Sequence, residues 1–433
     1  MSEPVATKIL VIGYVWPEPR SSAAGGYVMQ LLGTFLAQGW DVTYSSPAGP
    51  GEHQEDLTKL GIREVPIELN NSSFDAFVSE LAPDIVLFEQ FMMEEQFGWR
   101  VELHCPNALR VLATQDLQSL RHARHQRLKD RLKTNDDAND FSELFAPALC
   151  EEFLRMADTD LAKREIAAIF RCDLNLMISA VEIDLLVDHF NVPRYLLHEC
   201  PLMVDLPHVA PSGYEARAHF LSIGNFRHAP NWDAVLWMKT TIWPLIREQL
   251  PTAQLHIYGA YTPPKATALH NAAQGFHVMN WAEDALQVMS AARVCLAPLR
   301  FGAGIKGKLV DAMLCGTPSV TTAIGAEAMH GTGPWPGAIT ATARAFADSA
   351  VRLYNDQSCW TNAQTAGLDL LAERYQARIH GPALVDKLND CQQHLARIRR
   401  DNFTGSMLRH HQHKSTQYMA QWIEAKNRYK DKA

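Results

Sequence analysis

No Cys-x-x-Cys pair occurs in this chain; its eight cysteines (105, 150, 172, 200, 295, 315, 359 and 391) are scattered. That scatter argues against zinc-ribbon and dithiol redox sites and fits reduced, mostly buried thiols better than a disulfide framework. No uninterrupted apolar run approaches the ~18 residues that a membrane span requires. The polar start, Met1 to Lys8, lacks a charged segment followed by an apolar one, so no secretory leader is read there and the cytoplasm is expected. Positive charge is short as well. With 40 Lys and Arg against 48 Asp and Glu the formal net charge is −8, which leaves no surplus to replace phosphate counterions and argues against a nucleic-acid partner. His122/His125 and His410/His411/His413 have no carboxylate or cysteine at an obvious ligand spacing, so no metal site is expected.

What is present is an α/β pattern. The 433 residues, 47% hydrophobic and 20% charged, suffice for two or three domains. Short β-rich runs alternate with helical stretches. In the first half they are Lys8–Gly13, Asp41–Ser45, Asp84–Phe88, Leu109–Ala113 and Leu174–Ser179; in the second, His219–Gly224, Gln254–Tyr258, Phe276–Met279, Arg293–Ala297 and Ser319–Thr322. The pattern starts twice. Between the halves, Pro201, Pro207 and Pro211 interrupt any periodicity. The expectation is two Rossmann-like domains with parallel sheets facing across a cleft: a first domain over 1–200, a linker over 201–215 and a second domain over 216–390. Residues 391–433 read as a helical tail. After Arg400 it carries six Lys/Arg against three Asp/Glu, with Tyr418, Met419, Trp422 and Ile423 as one apolar patch. That patch either packs back on the body or lies on an anionic membrane, a possible peripheral contact. The charge-dense stretch Arg121 to Asp140 is a solvated helix and loop or an acceptor lid. Asp158-Thr-Asp160 is placed within a helix, as a solvated face.

The most informative stretch is Phe301-Gly-Ala-Gly-Ile-Lys-Gly-Lys-Leu-Val-Asp311, running on to Gly316-Thr-Pro318. A strand-like run, Ala292 to Leu299, precedes it; Gly302 and Gly304 free the backbone, and Lys306 and Lys308 open a helix. Close backbone approach, unpaired helix N–H groups and two cations suit a phosphate.

Several ordered motifs then resemble one family. They are Ser222-Ile-Gly-Asn-Phe-Arg-His-Ala-Pro-Asn231, Trp243-Pro244, Leu255-His-Ile-Tyr-Gly259, the glycine–lysine segment, and Thr321-Thr-Ala-Ile-Gly-Ala-Glu-Ala-Met329. Together they resemble the GT-B glycosyltransferases, in particular the glycosyl transferases group 1 (family-4-like) type. Pro17, Pro19, Gly25 and Gly26 look like that family's first-domain loop; Thr114 to Arg121, Lys163-Arg-Glu165 and Ser179-Ala-Val-Glu182 match more weakly. The resemblance spans about residues 8 to 390 and implies an enzyme that moves a sugar from a nucleotide diphosphate-sugar to a hydroxyl, with retention and without metal or other cofactor. The acceptor would be a glycan, a lipid-linked sugar or a protein.

Carried over, the resemblance gives Lys306 and Lys308 the diphosphate, with Gly302, Gly304 and Ile305 forming the loop, and gives Asp311 the ribose hydroxyls. Arg227 either adds a guanidinium to the phosphates or is a surface arginine. Gly25 and Gly26 bring N–H groups to the cleft or form a helix-entry turn. Asp116, after a strand end, orients or deprotonates the acceptor or caps a helix. Glu327 contacts the donor sugar or caps a short helix. His228 lies near the phosphates or is structural, and Trp281 frames a nucleobase or is core. Many relatives carry two glutamates with seven residues between them; here Ala303 and Asp311 stand in those places. That departure keeps a catalytically silent module that binds a sugar nucleotide or a protein partner as an alternative, beside an epimerase or hydrolase on the same fold.

Overall fold

A computed structural model describes residues 6–134, 140–145 and 148–430, without the side chains of 411–413 and 430. The part of the charge-dense stretch at 135–139 and the side chains of His411 and His413 thus lie outside the described residues.

The first sheet has seven strands: β1 (Lys8–Ile12), β2 (Asp41–Ser46), β3 (Arg63–Pro66), β4 (Ile85–Glu89), β5 (Leu109–Ala113), β6 (Leu174–Met177) and β7 (Leu197–Glu199). Their order is β3-β2-β1-β4-β5-β6-β7, and every pair is parallel. The second sheet has six: β8 (Ala218–Ile223), β9 (Leu255–Tyr258), β10 (Phe276–Asn280), β11 (Ala292–Ala297), β12 (Ser319–Thr321) and β13 (Gly337–Ile339). Their order is β10-β9-β8-β11-β12-β13, again all parallel. Central strands such as Ile85–Glu89 and Leu109–Ala113 are buried along their whole length, because helices cover both faces and a continuous apolar run is then favoured over alternation. The two sheets and their parallel α/β build are those the pattern implied. β3, β7 and β13 were not expected; they have four, three and three residues at or beside sheet edges, too short for a period to show.

In each sheet the strand order reverses once, between β1 and β4 and between β8 and β11. Loops leaving the carboxyl ends of strands at such a reversal form a crevice, the usual ligand site of an open parallel sheet.

After the helix Gln357–Arg374 the chain crosses back to the first domain. Val204 N–H donates to Tyr375 O (2.7 Å) and Ala377 N–H to Val204 O (3.0 Å). The helix Ala377–Gln393, expected to lie in the second domain as far as 390 and in the tail beyond it, packs on Ala23–Ala37 of the first, and its Leu384, Leu388 and Cys391 join the first core. The tail ends in a long helix, Phe403–Lys430, lying on the helices Phe91–His104 and Asp160–Arg171.

Two local expectations are corrected. Asp158 and Asp160 do not share a helix: Asp158 closes Leu149–Ala157, Thr159 caps the next helix, and Asp160 opens it. The helix Gln118–Thr134 is not merely solvated, since Leu120, Ala123, Arg124 and Leu128 are buried along it.

Candidate active site

The loop from Leu299 to Lys306 leaves β11 at the reversal point, and the helix Gly307–Leu314 follows with Lys306 as its N-cap residue. The Lys306 side chain is buried and its Nζ donates to Gly304 O at 2.7 Å. Lys308 Nζ donates to Asn231 Oδ1 at 2.6 Å. Burial brings both ammonium groups down to about 8, although nearby carboxylates oppose the change at Lys306. Asp311, one turn further on, is pushed up to about 7 by burial, against the pull of Lys308. Lys308 and Asp311 keep some open surface yet are ringed by protein atoms, and it is this crowding that removes hydration. Two lysines held this close to neutrality are poised to gain from an anion.

The opposite wall adds a second helix start. The helix Ala23–Ala37 begins behind the N-cap Ser22, and a Cβ on Gly307 would lie 2.6 Å from Ala23 Cβ. The first turns of two helices from different domains therefore touch, and the partial positive charges of both N-termini favour an anion beside them. Gly25 and Gly26 form the first turn of this helix. Their N–H groups donate to Ser22 Oγ (3.0 Å) and Ser22 O (3.1 Å), the bonds of a helix-entry turn. Gly25 is required for packing, since a Cβ there would meet the Glu18 backbone at 2.6 Å, whereas Gly26 faces open space.

Three side chains join the domains around this point. Gly304 sits in the left-handed region (φ 63°), and its N–H donates to Glu182 Oε1 at 2.8 Å, the same oxygen that accepts from Leu117 N–H at 3.2 Å. Glu182 is fully buried, and desolvation, then Asp116, push its carboxyl up to about 8. Arg124, from the helix Gln118–Thr134, makes a two-pronged pair with Glu327 (2.7 Å each), donates to Gly302 O at 2.9 Å, and bonds the buried Glu152 at 3.0 Å. Burial pulls the Glu327 carboxyl up, but Arg124 and then Lys306 outweigh it and hold the group below its ordinary range. Glu327 is therefore a charged partner of Arg124 beside Lys306, and it also closes the short helix Ala323–Ala326 as its C-cap residue. Asp116 caps nothing: it pairs with Arg121 and lies against Gly304, where an added Cβ would stand 2.9 Å from Asp116 Cβ.

The structure gathers Asp116, Gly302, Gly304, Ile305, Lys306, Lys308, Asp311 and Glu327 at one place. His228 belongs with them: it is open to the cleft, and its imidazole is held down first by desolvation and then by Arg121, with Asp116, Lys308 and Lys306 also acting on it. Arg227 lays its guanidinium 3.5 Å over the Tyr261 ring. Trp281 is not core. His53 from the first domain stacks on it (centroids 4.1 Å), and its indole N–H donates to Arg20 O at 3.1 Å. With Tyr261 OH donating to Glu18 at 2.7 Å, these contacts close the outer end of the cleft.

One feature had no counterpart in the sequence reading. At the carboxyl ends of β4 and β5, Tyr44 OH donates to Glu89 (3.0 Å), Gln115 Nε2 to Glu89 (2.5 Å), Gln90 Nε2 to Gln115 (3.0 Å) and Gln118 Nε2 to Gln90 (3.0 Å). Gln90 and Gln115 both have left-handed backbones (φ 66° and 63°), a strain that clusters at functional sites. Nothing in the sequence marks it, because its members come from three separate stretches.

Residues 217–356, most of the second domain, match the family described as glycosyl transferases group 1. Over those residues the second domain is similar to group 1 glycosyltransferase domains. Around it the whole chain has the GT-B fold. It is similar to Anabaena HepE in complex with UDP and glucose (TM-score 0.63, 12% identity, covering 89% of this chain and 100% of that one). Sucrose-phosphate synthase from Thermosynechococcus elongatus is similar as well (0.61, 15%, 89% and 98%). So is a Rickettsia africae glycosyltransferase (0.61, 10%, 89% and 99%). No curated protein matches the chain. In the second domain the glycine–lysine loop, Asp311 and Glu327 all fall inside the matched stretch.

Proposed function

We propose that the protein transfers a sugar from a nucleoside diphosphate donor to a hydroxyl acceptor, with retention of configuration and without a metal, on the cytoplasmic side of the cell. The observation that carries this reading is the meeting of two helix N-termini with the buried Lys306 and the partly buried Lys308 at the crevice of the second domain. In the reaction, the bond from the anomeric carbon to the diphosphate breaks and its electron pair goes to the phosphate oxygen. The acceptor oxygen attacks the anomeric carbon, and its proton passes to the departing phosphate. Charge thus grows where Lys306, Lys308 and the helix ends stand, so they stabilise the transition state more than the ground state. In this proposal these groups do the work a divalent cation does elsewhere.

Asp311 takes the ribose hydroxyls, and Glu327, oriented by Arg124, takes the donor sugar. Ala303 leaves the donor sugar one side-chain contact fewer. Asp116 is tied to Arg121, which suits a group that orients an acceptor hydroxyl rather than one that removes its proton. That favours retention, where the leaving phosphate serves as base. The carboxamide cluster of Gln90, Gln115 and Gln118 lies on the acceptor side and favours a polyhydroxylated acceptor, free, lipid-linked or on protein. UDP is the first nucleotide to try, because HepE is similar in fold and is described with it. The test is the melting temperature with UDP, GDP, ADP, TDP and CMP, followed by NMR of the product anomer with the preferred sugar nucleotide. One preferred diphosphate and a product of the donor's anomeric configuration support the proposal; an inverted product refutes retention. Ala303 in place of the first family glutamate favours a second reading, a silent sugar-nucleotide-binding module, which the same assay identifies as binding without turnover.

A further inference from the structure

The helix Phe403–Lys430 presents two unlike faces. Gly405, Arg409 and Ala420 are buried against the first domain, with Gly405 so close that an added Cβ would lie 2.1 Å from Phe170 O. Glu424, its single acidic residue, turns inward and accepts from Ser72 Oγ at 2.6 Å. The inner face thus packs back on the body as one reading of the tail expected. On the outer face Phe403, Met407, Tyr418, Trp422 and Tyr429 are 70%, 47%, 65%, 59% and 80% exposed. At 3.6 residues per turn these five fall within an arc of about 100°, opposite the buried three.

From these observations we infer that the outer face is a docking surface for an anionic lipid bilayer, deepening the proposed cytoplasmic placement of the enzyme. Charge complementarity carries the choice of occupant. The helix holds five Lys or Arg (409, 414, 426, 428 and 430) against Glu424 alone, in a chain whose formal net charge is −8. Lys414 lies within the aromatic arc, and Lys426 reaches over the Trp422 ring at 5.0 Å. Among the described residues no carboxylate of this helix shares that face. Aromatic rings along one stripe with lysines beside them suit the headgroup boundary, where the rings enter and the ammonium groups reach lipid phosphates. A second protein copy fits less well, because the cations along this face would have to be desolvated. A surface-bound enzyme would hold its cleft near a lipid-linked acceptor.

Sedimentation of the full chain with vesicles of phosphatidylcholine, with and without phosphatidylglycerol, tests this. Binding is expected only with phosphatidylglycerol and falls with salt. The variant Tyr418→Ser/Trp422→Ser/Tyr429→Ser should lose binding. Lys414→Glu/Lys426→Glu should weaken it at least about 25-fold, at roughly fivefold per lysine lost. Both variants should keep the wild-type nucleotide-induced melting shift, so failure here is distinguishable from failure of the donor site. Undiminished binding by either variant, no binding at low salt, or dimerisation through this face without lipid overturns the proposal.

Discussion

Raising the pH should weaken nucleotide binding steeply, with proton uptake as its signature. Lys306 and Lys308 are both brought down to about 8 in the free protein, from an ordinary value near 10.4. A diphosphate placed between them restores the charged form, so the complex holds more protons than the free protein at any pH between about 8 and 10. The sign follows. Affinity is full below 8, where both lysines are already charged, and falls above it, where binding must first recharge them. From pH 7 to pH 9 each lysine that titrates near 8 costs about tenfold in affinity, or ~1.4 kcal/mol. Lys306, the more deeply buried, sets a floor of about tenfold; if Lys308, which keeps some open surface, follows fully, the loss approaches about a hundredfold. Calorimetry with UDP, or with whichever diphosphate the panel selects, in two buffers of different ionisation enthalpy reads both quantities. At pH 8 the uptake should be about half a proton per lysine. Affinity that stays flat to pH 9, or proton release on binding, would refute the placement of these lysines against the phosphates.

The other predictions concern the joint between the domains. Arg124→Met strands the buried carboxylate of Glu152 and the partly buried one of Glu327 and should cost about 3–5 kcal/mol in urea unfolding. Gly304→Ala would force a Cβ to 2.9 Å from Asp116 at a left-handed residue, so small-angle scattering should report a more open molecule and turnover should fall. Glu89, Glu165 and Glu182 are raised by burial to about 7, 7 and 8. Because these folded values exceed the unfolded value near 4.3, their contribution is complete below that value and is lost as pH climbs through 7 to 8. The urea midpoint should therefore fall between pH 5.5 and pH 8.5, and fall less in Glu182→Gln, whose amide cannot ionise.

The parts of the site that could be read from sequence are local. Gly302 to Asp311 lie in one loop and one helix, so the residue types, their spacing and the strand before them were visible together. The parts that could not be read are long-range pairs. Arg124 meets Glu327 across 203 positions, and Gly304 meets Glu182 across 122; no window of sequence contains both ends. Glu182 was visible only as the fourth residue of Ser179-Ala-Val-Glu182. Its backbone N–H does bond Ser179 Oγ at 3.4 Å, but its carboxyl turns away to Leu117 and the Gly304 loop. Trp281 and Glu327 each carried two readings because their surroundings are supplied by the other domain. The return of Ala377–Gln393 to the first domain was hidden for the same reason: an apolar helical face does not say which core it joins.

The most direct test is nucleoside diphosphate release coupled to glycoside formation, measured for the wild type and for Lys306→Ala shown to be folded by its circular dichroism. The account predicts turnover in the wild type and a loss of about a hundredfold or more in the variant, the scale seen when one donor to a developing anion is removed. Turnover undiminished by Lys306→Ala would contradict it.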